Sequence, residues 1–184
     1  MEDRHSCLSP RGGGNQTGRS AYPPWTEGSS GMSVTFGTRR HLPHLQYPGR
    51  RYFVTFATAH REPLEPAARD IVMDRCLFEH EQTCCLYCVV IMPDHAHLII
   101  TPYDAWTLPR ILRRVKGVSA RLINASSNRQ GPVWQSESFD RMLRSEDDLL
   151  EKAEYTCLNP VRAGLVTDVE RYRWKWRLWV EGRT

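Results

Sequence analysis

His95 and His97 stand two residues apart in the segment MPDHAHLII, residues 92–100. On an extended chain that spacing puts both side chains on one face, with Cα atoms roughly 6.5–7 Å apart. Two imidazoles so placed can converge on one metal ion. A bare His-x-His is more often a hydrogen-bonded pair at a sheet surface, so the motif needs a partner before it reads as chemistry. The segment EYTCLNPVRAGLV, residues 154–166, offers one. Tyr155 and Asn159 are i and i+4, neighbours on a helix surface. At 3.6 residues per turn Tyr155 points about 200° away from Ala153 and its core stripe, towards solvent or a cleft. A phenol becomes a nucleophile only when activated, its reference pKa being ~10. Asn159 carries two readings of equal weight. It is a third metal ligand, or the N-cap before Pro160 of a new turn, NPVRAGL, that closes at Gly164.

Other chemistries can be tested against the same residues. A zinc deaminase needs His-x-Glu followed by Pro-Cys-x-x-Cys. Here histidine follows Ala96, and Cys85 and Cys88 precede the histidines without a proline, so that reading fails. A structural zinc site built from Cys85, Cys88, His95 and His97 has a usable Cys-x2-Cys spacing. The odd offset between the cysteines puts them on opposite faces of a regular strand, so this option survives only if the segment bends.

The elements that must position these residues follow from periodicity. YFVTFATA (52–59) is aromatic and β-branched and reads as a strand. Residues 65–82 form a helix with Pro66 in its first turn and Ile71, Val72, Arg75, Cys76 and Glu79 at helical spacing. CCLYCVVIM (84–92) and HAHLIIT (95–101) are apolar strands joined through Pro93 and Asp94. Residues 108–124 form a second helix, with Ile111, Leu112, Val115, Leu122 and Ile123 on its apolar stripe. Residues 133–144 are strand or irregular. A third helix begins at Ser145, where Ser145 and Asp148 fit a capping box, and its core stripe is Leu149, Leu150, Ala153 and Cys157. The order predicts an α+β fold of ferredoxin-like type, an antiparallel sheet with helices packed on one face and the His-x-His on a central strand.

Bulk properties bound the class. The 184 residues, 40% hydrophobic, suffice for one domain. No apolar run reaches the ~20 residues of a membrane helix, and no secretory signal opens the chain. Six scattered cysteines predict free thiols and a cytoplasmic location. Residues 1–31 are rich in Gly, Ser and Pro and balanced in charge, a disordered extension, with Met32 read as the natural start of a domain over 32–184. Residues 105–144 carry eight basic residues against Glu137 and Asp140, an excess suited to a polyanion or simply to a solvated face. RYRWKWRLW (171–179) interleaves tryptophans with basic residues, reading as a base-stacking segment or, with slight preference, an edge strand closing the core.

MPDHAHLI together with YTCLNPVRAGLV resembles the single-tyrosine HUH transposases, particularly the REP-associated tyrosine transposase family. RRHLPH (39–44), YFVTF (52–56), VKGVSARLIN (115–124) and GPVWQSESFDRMLR (131–144) look like that family's segments in the same order, so the likeness spans roughly residues 37–176. It implies metal-ligand roles for His95 and His97, with Mg²⁺ or Mn²⁺ as the cofactor, and a nucleophile role for Tyr155. Related enzymes have a metal-binding glutamine where this chain has Asn159, one methylene shorter. Asp94 is placed to orient an imidazole. The activity implied is nicking and strand transfer of single-stranded or hairpin DNA through a 5′-phosphotyrosine link, by a monomer or homodimer. Expected DNA contacts are Arg39 and Arg40 on an N-terminal arm, Arg110, Arg113, Arg114, Lys116 and Arg121 on the second helix, and Arg141. A hairpin-binding protein without catalysis is the alternative of a different class.

Overall fold

Alternation along residues 51–57, with Tyr52, Val54 and Phe56 inward on one side and Phe53 and Thr55 on the other, already fixes a two-faced strand. In the computed structural model, which describes residues 49–178, this strand, β1 (Arg51–Ala57), is followed by α1 (Pro66–Glu79), β2 (Cys84–Ile91), β3 (His95–Pro102) and α2 (Leu108–Ser126). Next come β4 (Phe139–Leu143), α3 (Glu146–Cys157), the short α4 (Asn159–Arg162) and β5 (Lys175–Arg177). The extension 1–31, the arm with Arg39 and Arg40, and Trp179 lie outside the described residues.

The five strands form one sheet in the order β4-β1-β3-β2-β5, and every neighbouring pair is antiparallel. This is the expected α+β arrangement, with β3 in the middle. Helices α1 and α2 cover one face, where Val72, Cys76, Ile111 and Val115 pack on Val54, Ala96, Leu98 and Ile100. The third helix lies on the other face: its Cys157 meets Cys88 of β2 at 3.6 Å between sulfurs, and its Lys152 reaches Phe53. Helices therefore occupy both faces, because α3 buries a stripe of its own, Leu149, Ala153, Thr156 and Cys157, that α1 and α2 leave no room for. Leu150 and Leu122, expected on core stripes, are 50% and 44% exposed.

Two local features adjust the strand and cap expectations. The β2–β3 register shifts between Leu86 and Cys88, a bulge that brings Cys85 and Cys88 to the same face, opposite Thr101 and Ile99. Cys85 is nevertheless level with Thr101, six residues or roughly 20 Å along β3 from His95. One ion cannot span that set, so the four-ligand zinc site is excluded. The start of α3 is as expected: Ser145 Oγ accepts from the Asp148 amide at 3.0 Å, while the Asp148 carboxylate reaches the Arg144 amide. Ser145→Ala is expected to cost about 1 kcal/mol in urea denaturation, and loosening of α3 should accompany it.

The C-terminal tryptophans belong to the core. Trp176 on β5 and Trp174 beside it pack against the α1 side, Trp174 Nε1 donating to Asp70 at 2.8 Å with the Arg69 guanidinium over its ring. Tyr172 Oη donates to the Ile91 carbonyl at 2.7 Å. The edge-strand reading of this segment is the one observed.

Candidate active site on the open face of the sheet

The β2–β3 connection holds the histidines by backbone bonds before any side chain acts. The Met92 amide donates to the His95 carbonyl at 2.8 Å, and the Asp94 carbonyl accepts from both the Thr58 amide and the Thr58 hydroxyl. His95 and His97 then project from the start of β3 onto the face away from α1 and α2, where the chain's alternation sends them.

Each imidazole is oriented through Nδ1. His95 Nδ1 donates to Asp94 Oδ1 at 2.6 Å, and His97 Nδ1 lies 2.8 Å from Thr55 Oγ1 on β1. The two Nε2 atoms face each other at 3.1 Å. Phe53 stacks on His97 with ring centroids 5.5 Å apart. Burial, with the positive charges of His95 and Lys152 adding to it, pushes the His97 pKa down to about 3. His97 is therefore neutral at physiological pH. With the Thr55 hydroxyl donating to Nδ1, His97 Nε2–H donates to His95. With Nδ1–H donating to Thr55 instead, two lone pairs meet at 3.1 Å, and a shared cation resolves the repulsion. That donor set, two imidazoles with both Nδ1 atoms hydrogen-bonded and their Nε2 atoms facing each other, fits a divalent metal. Among the described residues no cluster of three His, Cys, Asp or Glu that could hold a metal ion forms, so from those residue types the pair offers two nitrogens.

The other expected residues fall into three groups. Tyr155 is on α3, over the histidine face, 41% exposed. Its ring lies between two cations: Lys152 Nζ at 4.7 Å and the Arg162 guanidinium at 4.5 Å from the centroid. Lys152 Nζ also lies 4.8 Å from the Phe53 centroid, so Tyr155, Lys152, Phe53 and His97 form a continuous series. Asp94 joins the pair, with Arg61 Nη1 on its second oxygen at 3.0 Å. Asn159 does not act as an N-cap. Leu158 before it stays helical, α3 runs almost directly into α4, and Asn159 Nδ2 donates to the Thr156 carbonyl at 3.3 Å.

The basic residues divide by face. Arg141 on β4 pairs in register with Phe53 and so shares the histidine face. The α2 residues Arg110, Arg113, Arg114, Lys116 and Arg121 stand on the helix layer behind the sheet. Arg114 is committed to Glu79 at 3.0 Å, and Lys116 donates to the Ser136 carbonyl and Ser138. Arg110 stacks on Trp106. Lys152, Arg61 and Thr55 escaped sequence reasoning, although Lys152 at i−3 from Tyr155 was the one signal available.

A family model described as "Transposase IS200 like" matches residues 57–144. That stretch is similar to the IS200-like transposases. The match includes both histidines and ends before α3, so Tyr155 lies beyond it. The chain is similar in structure to a REP-associated tyrosine transposase bound to a REP hairpin, with a TM-score of 0.59 and 18% identity over 73% of this chain and 81% of that one. A protein from Deinococcus radiodurans R1 assigned as a transposase gives 0.42 and 21% identity, over 59% and 90% of the two chains. A bacterial tRNA(His) guanylyltransferase-like protein in complex with GTP gives 0.42 and 11%, over 67% and 71%. No curated protein matches the sequence. Among the described residues no helix is long and apolar enough to cross a membrane.

Proposed function

We propose that this protein is a metal-dependent nuclease and strand transferase for single-stranded DNA at hairpin-forming repeats, working through a 5′-phosphotyrosine intermediate. The observation that carries the reading is the pair of facing Nε2 atoms on the sheet face that α3 covers with Tyr155. Hairpin DNA as partner is supported by the fold shared with a REP-hairpin-bound transposase.

His95 and His97 would hold a Mg²⁺ or Mn²⁺ ion through Nε2, with Asp94 and Thr55 hydrogen-bonded to their Nδ1 atoms. An ion bound there would polarise the phosphodiester oxygens. The Tyr155 oxygen, its proton given up to solvent, attacks phosphorus in line. The phosphorus–O3′ bond breaks, and the departing 3′ oxygen takes a proton to become a hydroxyl. The phosphotyrosine conserves the bond energy, so another 3′ hydroxyl can reverse the step and complete strand transfer without ATP. Imidazole ligands favour Mn²⁺ over the oxygen-seeking Mg²⁺, and activity should be at least as high with Mn²⁺.

The test is incubation with labelled single strands carrying a hairpin, in Mn²⁺, followed by denaturing electrophoresis. A covalent adduct is expected from the wild type and none from Tyr155→Phe. Cleavage that persists in Tyr155→Phe removes Tyr155 as the nucleophile, and binding without any adduct favours the non-catalytic hairpin binder.

A further inference from the structure

Lys152 is a half-buried ammonium to which no described residue offers a hydrogen-bond acceptor. Its neighbours are two ring faces, Phe53 and Tyr155; burial and then the positive charge of Arg141 lower its pKa, against a smaller opposing effect of the Glu151 carboxylate. Ring faces stabilise a cation only modestly. A partly desolvated ammonium facing another cation is a poor arrangement for the protein alone, and an anion arriving between Lys152 and Arg141 improves it. The position is specific. Lys152 is one turn ahead of Tyr155 on α3, and its ammonium lies over both the Tyr155 ring and the Phe53 ring that stacks on His97.

Resting on the function proposed above, we infer that Lys152 binds the scissile phosphodiester, its ammonium donating to a non-bridging oxygen while Tyr155 and the histidine pair flank the same phosphorus. Arg141 supports the same anion from β4. The ligand class is a single-stranded DNA phosphate, held as a point charge without base recognition. The α2 arginines, behind the sheet, do not serve this phosphate.

The experiment maps the cleaved position with the wild type in Mn²⁺. It then measures equilibrium binding in chelator of two oligonucleotides, one native and one with a single neutral methylphosphonate at that position. The wild type and Lys152→Arg should each bind the native strand about tenfold more tightly than the neutral one, the size of a charge-assisted hydrogen bond. Lys152→Gln should keep no more than the few-fold preference that Arg141 alone gives, with a log–log salt slope shallower by about 0.7 on the native strand. Because each protein serves as its own control, a general weakening of the fold does not mimic the result. An adduct-forming wild type with a Lys152→Gln that discriminates against the methylphosphonate as strongly as the wild type does overturns the inference and leaves the functional reading standing. A wild type that forms no adduct overturns both.

Discussion

Glu79→Ala is expected to destabilise the domain by about 3 kcal/mol or somewhat more in urea denaturation, a large fraction of the 5–15 kcal/mol typical of a domain. Glu79 ends α1, is 1% exposed, and is one of the few buried charges among the described residues. Its carboxylate accepts from Thr83 Oγ1 at 2.7 Å and from Arg114 Nε at 3.0 Å, and it pairs with Arg75 one turn earlier. It thereby joins the end of α1, the turn into β2 and the flank of α2. Deleting it strands Arg75, whose side chain is only 12% exposed, without a carboxylate. Arg114 is 40% exposed and can return to water, which keeps the expected loss near the lower end of the 3–5 kcal/mol range for breaking a buried pair. Glu79→Gln should cost less, since an amide still accepts from Thr83. A loss below about 1 kcal/mol for Glu79→Ala would mean that water replaces the carboxylate and that the network is peripheral. The same network assigns Arg114 a structural task, so Arg114→Ala should lower stability along with any change in DNA affinity.

Residues whose meaning is local were legible in the sequence, and residues whose meaning depends on which face a later element covers were not. The two-residue offset of His95 and His97, the Pro93-Asp94 break and the Ser145 cap are all written in a few consecutive positions, and each stands where expected. The exposure of Tyr155 also followed from helical geometry alone. The bulge between Leu86 and Cys88 has no such signature, and one extra residue reversed the facing argument for Cys85 and Cys88. The α2 arginines form a clear basic cluster in sequence, yet periodicity cannot say that their helix lies behind the sheet from the histidines. Lys152 and Arg61 are ordinary surface residues until α3 and the Thr58–Arg61 turn bring them against β1 and Asp94. Asn159 kept two local readings, metal ligand or N-cap; the turn from Asn159 to Gly164 forms, but without Asn159 as its cap, because α3 continues through Leu158.

His97→Ala is expected to lower adduct formation by more than a hundredfold, and it should also change how stability depends on pH. The first effect exceeds the 10–100-fold typical of losing a residue that merely orients a metal ligand, and Thr55→Val supplies that comparison. Valine keeps the shape of Thr55 but removes the oxygen 2.8 Å from His97 Nδ1, freeing the tautomer while leaving both imidazoles in place. The second effect comes from burial, which holds His97 at about pKa 3 against 6.5 when unfolded. Between these values the unfolded chain binds a proton that the folded protein refuses. Stability therefore falls as pH drops below about 6.5, by at most about 1.4 kcal/mol per unit from this residue, and the fall ends near pH 3. His97→Ala removes that proton-linked loss, so the difference in stability between variant and wild type should narrow on acidification. Chemical denaturation of both proteins from pH 7 to pH 4 without metal measures it. Parallel curves would mean that His97 titrates normally in the fold. The pair would then be a solvated surface feature, with no neutral imidazole held ready for a cation.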